Sequence, residues 1–184
     1  YGLPTPEFLF KWIINNSGGN YETHLATSGE ASEVGTAVHL LCEDIVAGKS
    51  VTISDDPLDY VQGRGYYPTH DTLLQIRKGL QSFVAFWNNM KPKVIESEVM
   101  LWSTAKNENG WVAPFAGRCD LIAMIDGERW LLDIKTSKVV KDVQNYGLQL
   151  SMYKILWDLM HPTEPIDRMG VIWAKKDFTL ANPP

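Results

Sequence analysis

The chain has 184 residues, 45% hydrophobic and 21% charged, with a net charge of −5 that at first argues against a nucleic-acid partner. That length suits one domain with a substantial core, and no apolar run approaches the roughly 20 residues of a membrane helix. Cys42 and Cys119 are too few for a four-cysteine zinc or iron–sulfur site, and are expected as two buried thiols in a reducing compartment.

Residues 4–16 read as a short helix closed by Asn15-Asn16-Ser17-Gly18-Gly19, and residues 17–28 as a polar loop. A helix is predicted over about 32–47, capped by Ser28 or Ser32 and stopped by Gly48. Its apolar positions Val34, Val38, Leu41 and Ile45 recur at helical spacing. Residues 49–69 show no clear period and form a long connection. A second helix is predicted over about 71–90, ended by Lys91-Pro92.

The period then changes to that of strands. Strands are predicted at 94–102, 112–125 and 129–135, with turns at Asn107-Glu108-Asn109-Gly110 and Asp126-Gly127, as an antiparallel meander. A helix over about 143–160 follows, and a last strand at 169–174 would reach the sheet through a crossover. The fold class is α/β (α+β-like): a mixed sheet flanked by helices. The chain opens on Tyr1 and not Met, so a start inside a longer gene product is expected, and no signal peptide is visible.

The chemistry concentrates in the second and third strands. Asp133 and Lys135 share one strand face, with Ile134 opposite. Asp133 sits in an otherwise apolar strand, where a carboxylate needs a partner. If the hairpin register sets Asp120 beside Asp133, two acids meet at a strand end and repel. A divalent cation resolves that conflict, and oxygen ligands favour magnesium or manganese. On the first long helix His39 and Glu43 share a face with Gly35, whose place in mid-helix predicts a close approach by another backbone. On the last helix Gln149 and Tyr153 lie four apart, and Tyr146 is one turn earlier with a stacking surface. Glu98 and, with less weight, Glu96 are further acids or edge-strand charges.

Charge is unevenly spread. Residues 1–128 carry nine basic and sixteen acidic side chains, and residues 129–184 carry eight and six. Lys138, Lys141 and Lys154 in the latter part are candidate phosphate contacts. A metal held by some of the acids would offset their charge, so the balance leaves DNA open as a partner.

Together these residues resemble the PD-(D/E)XK nuclease superfamily, in which an acid and then acid-x-lysine occupy a strand hairpin. Here those are Gly117-Arg118-Cys119-Asp120 and Asp133-Ile134-Lys135. The helix with Gly35, His39 and Glu43 and the Gln149-x-x-x-Tyr153 helix are similar to the RecB-like exonuclease branch, which includes mitochondrial genome maintenance and phage recombination exonucleases. The resemblance spans about residues 33–175. It implies a restriction-endonuclease-like core and a single nuclease domain over 1–184, with a helical part to about 92 and a catalytic core over about 93–176. It implies Mg2+ or Mn2+, one ion or two, held by His39, Asp120, Asp133 and the Ile134 carbonyl, with Lys135 catalytic. It implies DNA contacts from Gln149, Tyr153, Tyr146, Lys138 and Lys154, on single strands or duplex ends in recombination, repair or replication, with a possible partner protein of those pathways. With two cysteines where some relatives have four, no iron–sulfur cluster is expected. The cytoplasm, or the mitochondrial matrix in a eukaryote, is the expected compartment. A restriction-type endonuclease and an inert nuclease-like DNA-binding subunit are the alternatives.

Overall fold

A computed structural model describes residues 21–51, 69–103, 115–136 and 143–179. The predicted helix at 4–16, most of the 49–69 connection, the 107–110 turn, and Lys138 and Lys141 lie outside those residues. In chain order the elements are α1 (Tyr21–Val46), α2 (His70–Met90), β1 (Lys93–Ser103), β2 (Phe115–Ile125), β3 (Glu128–Lys135), α3 (Val143–Met160) and β4 (Arg168–Trp173). The sheet order is β1-β2-β3-β4: an antiparallel meander with β4 added parallel to β3 after the α3 crossover. This is the mixed, helix-flanked sheet that the periodicity predicts.

The main correction is to α1. It runs from Tyr21 to Val46, so Ser28 and Ser32 lie within the helix and not at its start. Its first third has no apolar stripe to announce it, which is why the polar run reads as loop. α2 begins as predicted, with Thr69 Oγ1 accepting the Thr72 N–H at 3.3 Å. It ends at Lys91, which adopts the left-handed conformation at φ 45°.

Each face of the sheet buries its own apolar layer. Val34, Val38 and Cys42 of α1 and Ile76, Leu80 and Phe83 of α2 pack on Leu121, Ala123, Leu132 and Ile134. Leu150, Tyr153 and Trp157 of α3 pack on the opposite face against Val99, Leu101, Cys119 and Leu131. Fully buried chains of the size of Phe83 or Leu80 each contribute roughly 1.5–3 kcal/mol. Gly79 lets α2 press on α1, because a Cβ there would stand 3.0 Å from Val38 Cγ2. The β2–β3 hairpin turns on Asp126 and Gly127, both at positive φ, as a two-residue loop of this composition requires.

One irregularity shapes everything that follows. Ser97 pairs with Leu121 and Val99 with Cys119, yet Leu121 faces α1 and α2 while Cys119 and Val99 face α3. Both strands therefore change face at the residues between, Glu98 and Asp120. Glu98 carries the change with φ 54°, an unusual value for a non-glycine residue in a strand.

Candidate active site

The site lies where β2 and β3 pass between α1 and α3. Strand alternation puts Asp133 and Lys135 on the α3 face, and Lys135 Nζ lies 2.6 Å from Asp133 Oδ2. Asp133 is buried at 3% exposure. Its Oδ2 has the lysine as ionic neighbour but no aligned hydrogen bond. The buried acid thus has the partner that its apolar strand demands.

Asp120 stands one step past the last ladder pair of β2 and β3, Leu121 with Leu132, so antiparallel register sets it opposite Asp133. Because β2 changes face there, its carboxylate turns to the backbone of β3: Oδ2 accepts the Ile134 N–H at 2.6 Å. From α1, His39 Nε2 donates to the Ile134 carbonyl at 2.7 Å and lies 4.0 Å from Asp120 Oδ2. The backbone of Ile134 is thus gripped at both its N–H and its C=O, which belong to successive peptide units. Burial pushes the Asp120 carboxyl above the ordinary carboxylate range. The Ile134 N–H opposes this, and the Asp133 charge adds to it.

Two glycines explain how closely the helices approach. A Cβ on Gly35 would meet Thr136 Oγ1 at 3.0 Å, so α1 passes directly over the end of β3. The predicted close approach is real, but the neighbour is a side chain and not a backbone. A Cβ on Gly117 would collide with the Tyr153 ring, so the glycine of the Gly-x-x-Asp motif makes room for α3.

On the α3 side a relay begins at the lysine. Lys135 Nζ donates to Gln149 Oε1 at 3.3 Å, and Gln149 Nε2 donates to the Tyr153 hydroxyl at 3.1 Å. The Tyr146 ring centroid lies 5.3 Å from Nζ, in cation–π range. Gln149 and Tyr153, expected as DNA contacts, are engaged inside the protein here, and Tyr153 is buried. Lys154, also expected as a DNA contact, has partners within the protein. It is held by Asp158 at 2.7 Å and by the Ile166 carbonyl, tying α3 to the approach of β4.

The further acids gather on the α1 side. Glu98 pairs with Arg118 Nε at 2.8 Å. Burial raises its pKa, and the neighbouring Glu43 and Asp120 charges raise it further, against Arg118. Glu96 is exposed. Cys42 and Cys119 are free and buried. Burial pushes the Cys119 thiol up to about 12, so it is no thiolate.

Among the described residues, no three His, Cys, Asp or Glu side chains are gathered as a ready metal cluster. The donor chemistry nevertheless fits a hard divalent cation. Two opposed carboxylates, one charge-penalised and one with an unaligned buried oxygen, adjoin an imidazole and a carbonyl. Lys135 and His39 engage two of those donors, Asp133 and the Ile134 carbonyl.

Sequence reasoning named most of these residues but missed two contacts. Arg118 on Glu98 is a diagonal pairing, since Arg118 lies directly across from Met100. Thr136 beside Gly35 joins segments about a hundred positions apart, which no local pattern announces.

Comparison with curated proteins gives no match. The family model of the PD-(D/E)XK nuclease superfamily matches residues 10–179. That match runs through the gripped β3 backbone, the acid-x-lysine strand and both flanking helices, and the chain belongs to the PD-(D/E)XK nuclease superfamily.

Proposed function

We propose that this chain is a metal-dependent deoxyribonuclease that degrades single-stranded DNA or duplex ends from a terminus. The observation that carries the reading is the placement of Lys135 Nζ between Asp133 Oδ2 and Gln149 Oε1, beside the Ile134 backbone held by Asp120 and His39. The residues that would hold magnesium or manganese are Asp120, Asp133, the Ile134 carbonyl and His39. When bound, the cation supplies positive charge to the phosphate oxygens and makes water more acidic.

The chain's own groups do the rest. Asp133 and Gln149 hold Nζ at a fixed point, where it donates to the attacking water or to charge developing on the phosphate. Tyr153 fixes the Gln149 amide, and Gly117 lets Tyr153 sit close enough to do so. Asp120 holds the Ile134 N–H and His39 meets the carbonyl of the same residue, so the two fix the strand on either side of its Cα. Glu98 and Glu43 are additional acids on the α1 side.

The test is a time course on end-labelled linear and closed circular single-stranded DNA with magnesium or manganese. The wild-type chain should shorten the linear strand from an end and leave the circle intact. Lys135→Ala should keep fold and cation binding and lose roughly a hundredfold to a thousandfold in cleavage rate. Cutting of the circle would establish an endonuclease instead, and absence of metal-dependent turnover would leave a binding subunit.

A further inference from the structure

The β1–β2 ribbon extends past the acids, and its two sides are unlike. On the α3 side it is packed: Leu101 and Cys119 are fully buried, and Gly117 lies against Tyr153. On the other side Met100 and Trp102 stand 56% and 57% exposed. Arg118 is the cross-strand partner of Met100 and Ala116 that of Trp102. The Arg118 side chain is 62% exposed and reaches Glu98 at 2.8 Å. A large indole, a thioether and a guanidinium thus share one solvent-facing strip that starts at the acid cluster.

We propose that this strip is a nucleic-acid subsite: Trp102 and Met100 take bases of the bound strand and Arg118 takes a phosphate between them and the acids. The proposal rests on the nuclease reading and deepens it. Three observations favour nucleic acid over a protein occupant. The strip is continuous with the proposed site through the Arg118–Glu98 pair. It combines a flat aromatic surface with a cation, the chemistry that binds single strands without sequence preference. It is narrow, offering two apolar side chains where a stable protein interface has a broad buried centre. Trp102 lies four residues beyond Glu98, or about 13 Å along the strand, which spans roughly four stacked nucleotides.

The face change at Glu98 and Asp120 is what exposes the strip. Alternation continued from Ser97, past the irregularity between Val94 and Glu96, would have set Met100 and Trp102 on the side that packs against α3. The change instead sends Val99 and Leu101 inward there and leaves the aromatic side open.

The experiment measures anisotropy of fluorescein-labelled oligothymidylates on the full chain in a Lys135→Ala background, so that binding is read without cleavage. With a twelve-nucleotide probe, Trp102→Ala should weaken affinity about fivefold to a hundredfold. Trp102→Phe, which keeps a π-face, should recover most of it, and Trp102→Leu, which keeps only apolar bulk, should not. A three-nucleotide probe should show little difference among them. Arg118→Gln should weaken the long probe and flatten its salt dependence. Equal affinity in wild-type and Trp102→Ala chains would overturn the subsite, as would Leu serving as well as Phe. Self-association lost in Trp102→Ala without a change in oligonucleotide affinity would make the strip a protein contact and equally overturn it. Binding through Trp102 together with no cleavage by the chain that keeps Lys135, with magnesium or manganese added, would sink the nuclease reading and leave the subsite standing.

Discussion

The two faces of the sheet treat β3 differently. On the α1 face the contacts are made to its backbone: Asp120 and His39 hold the N–H and the C=O that flank Ile134. On the α3 face they are made to its side chains, through the line Asp133, Lys135, Gln149, Tyr153. Backbone contacts fix where the strand lies, and side-chain contacts fix what its lysine can do. The site therefore divides into a half that sets position and half that sets chemistry, and substitutions should separate them.

The largest effects come from the acids, which serve both halves because both would hold the cation. Asp133→Asn and Asp120→Asn should each reduce cleavage at least about a thousandfold and remove thermal stabilisation by added magnesium or manganese. Without added cation, Asp120→Asn should also show a characteristic pH response. The native Asp120 carboxyl is raised, so the folded state holds its proton more tightly than the unfolded state. That contribution is present at acid pH and lost as pH rises through the raised value. Melting temperatures followed from pH 4 to 8 should therefore move in the variant's favour as pH rises. A variant that falls further behind wild type instead would break the assignment of burial as the cause.

A smaller effect is expected at the back of the chemical half. Gly117→Ala should destabilise the fold by about 1–3 kcal/mol, since its Cβ meets the Tyr153 ring. In a Tyr153→Ala background most of that cost should vanish, and a double-mutant cycle in denaturant measures the coupling. Additive costs would show that the ring is not the obstacle. Smaller still is Gln149→Ala, which removes one hydrogen bond to Nζ. It should lower kcat about twofold to tenfold and leave cation-induced stabilisation unchanged. A change in the cation response would erase the division between the two halves.

Much of the site was legible because its residues obey local periods. Asp133 and Lys135 share a face by strand alternation, His39 and Glu43 by helical spacing, and Asp126-Gly127 announces its own turn. Gly35 and Gly117 were visible as glycines in regular elements, but their partners Thr136 and Tyr153 are set by tertiary packing. The early start of α1 was hidden because its first turns lack an apolar stripe. The change of face at Glu98 was hidden for a different reason. Glutamate has no preference for positive φ, so nothing in the residue type marks the break, and alternation read back from Leu121 gives the wrong side for Cys119 and its neighbours in β2.

That left-handed residue costs roughly 1–2 kcal/mol of backbone energy, which its surroundings must outweigh. Both strands roll over at the same level and stay in step from Glu96 to Ser103, whereas β1 carries one extra residue between Val94 and Glu96. Within that in-step stretch, removing or inserting a single residue in one strand alone would throw one end of the ribbon out of phase with its neighbour. Length variation between Glu96 and Ser103 should be tolerated only as matched changes in both strands, which makes the spacing from Glu98 to Ser103 as fixed a property of the protein as the identity of its acids.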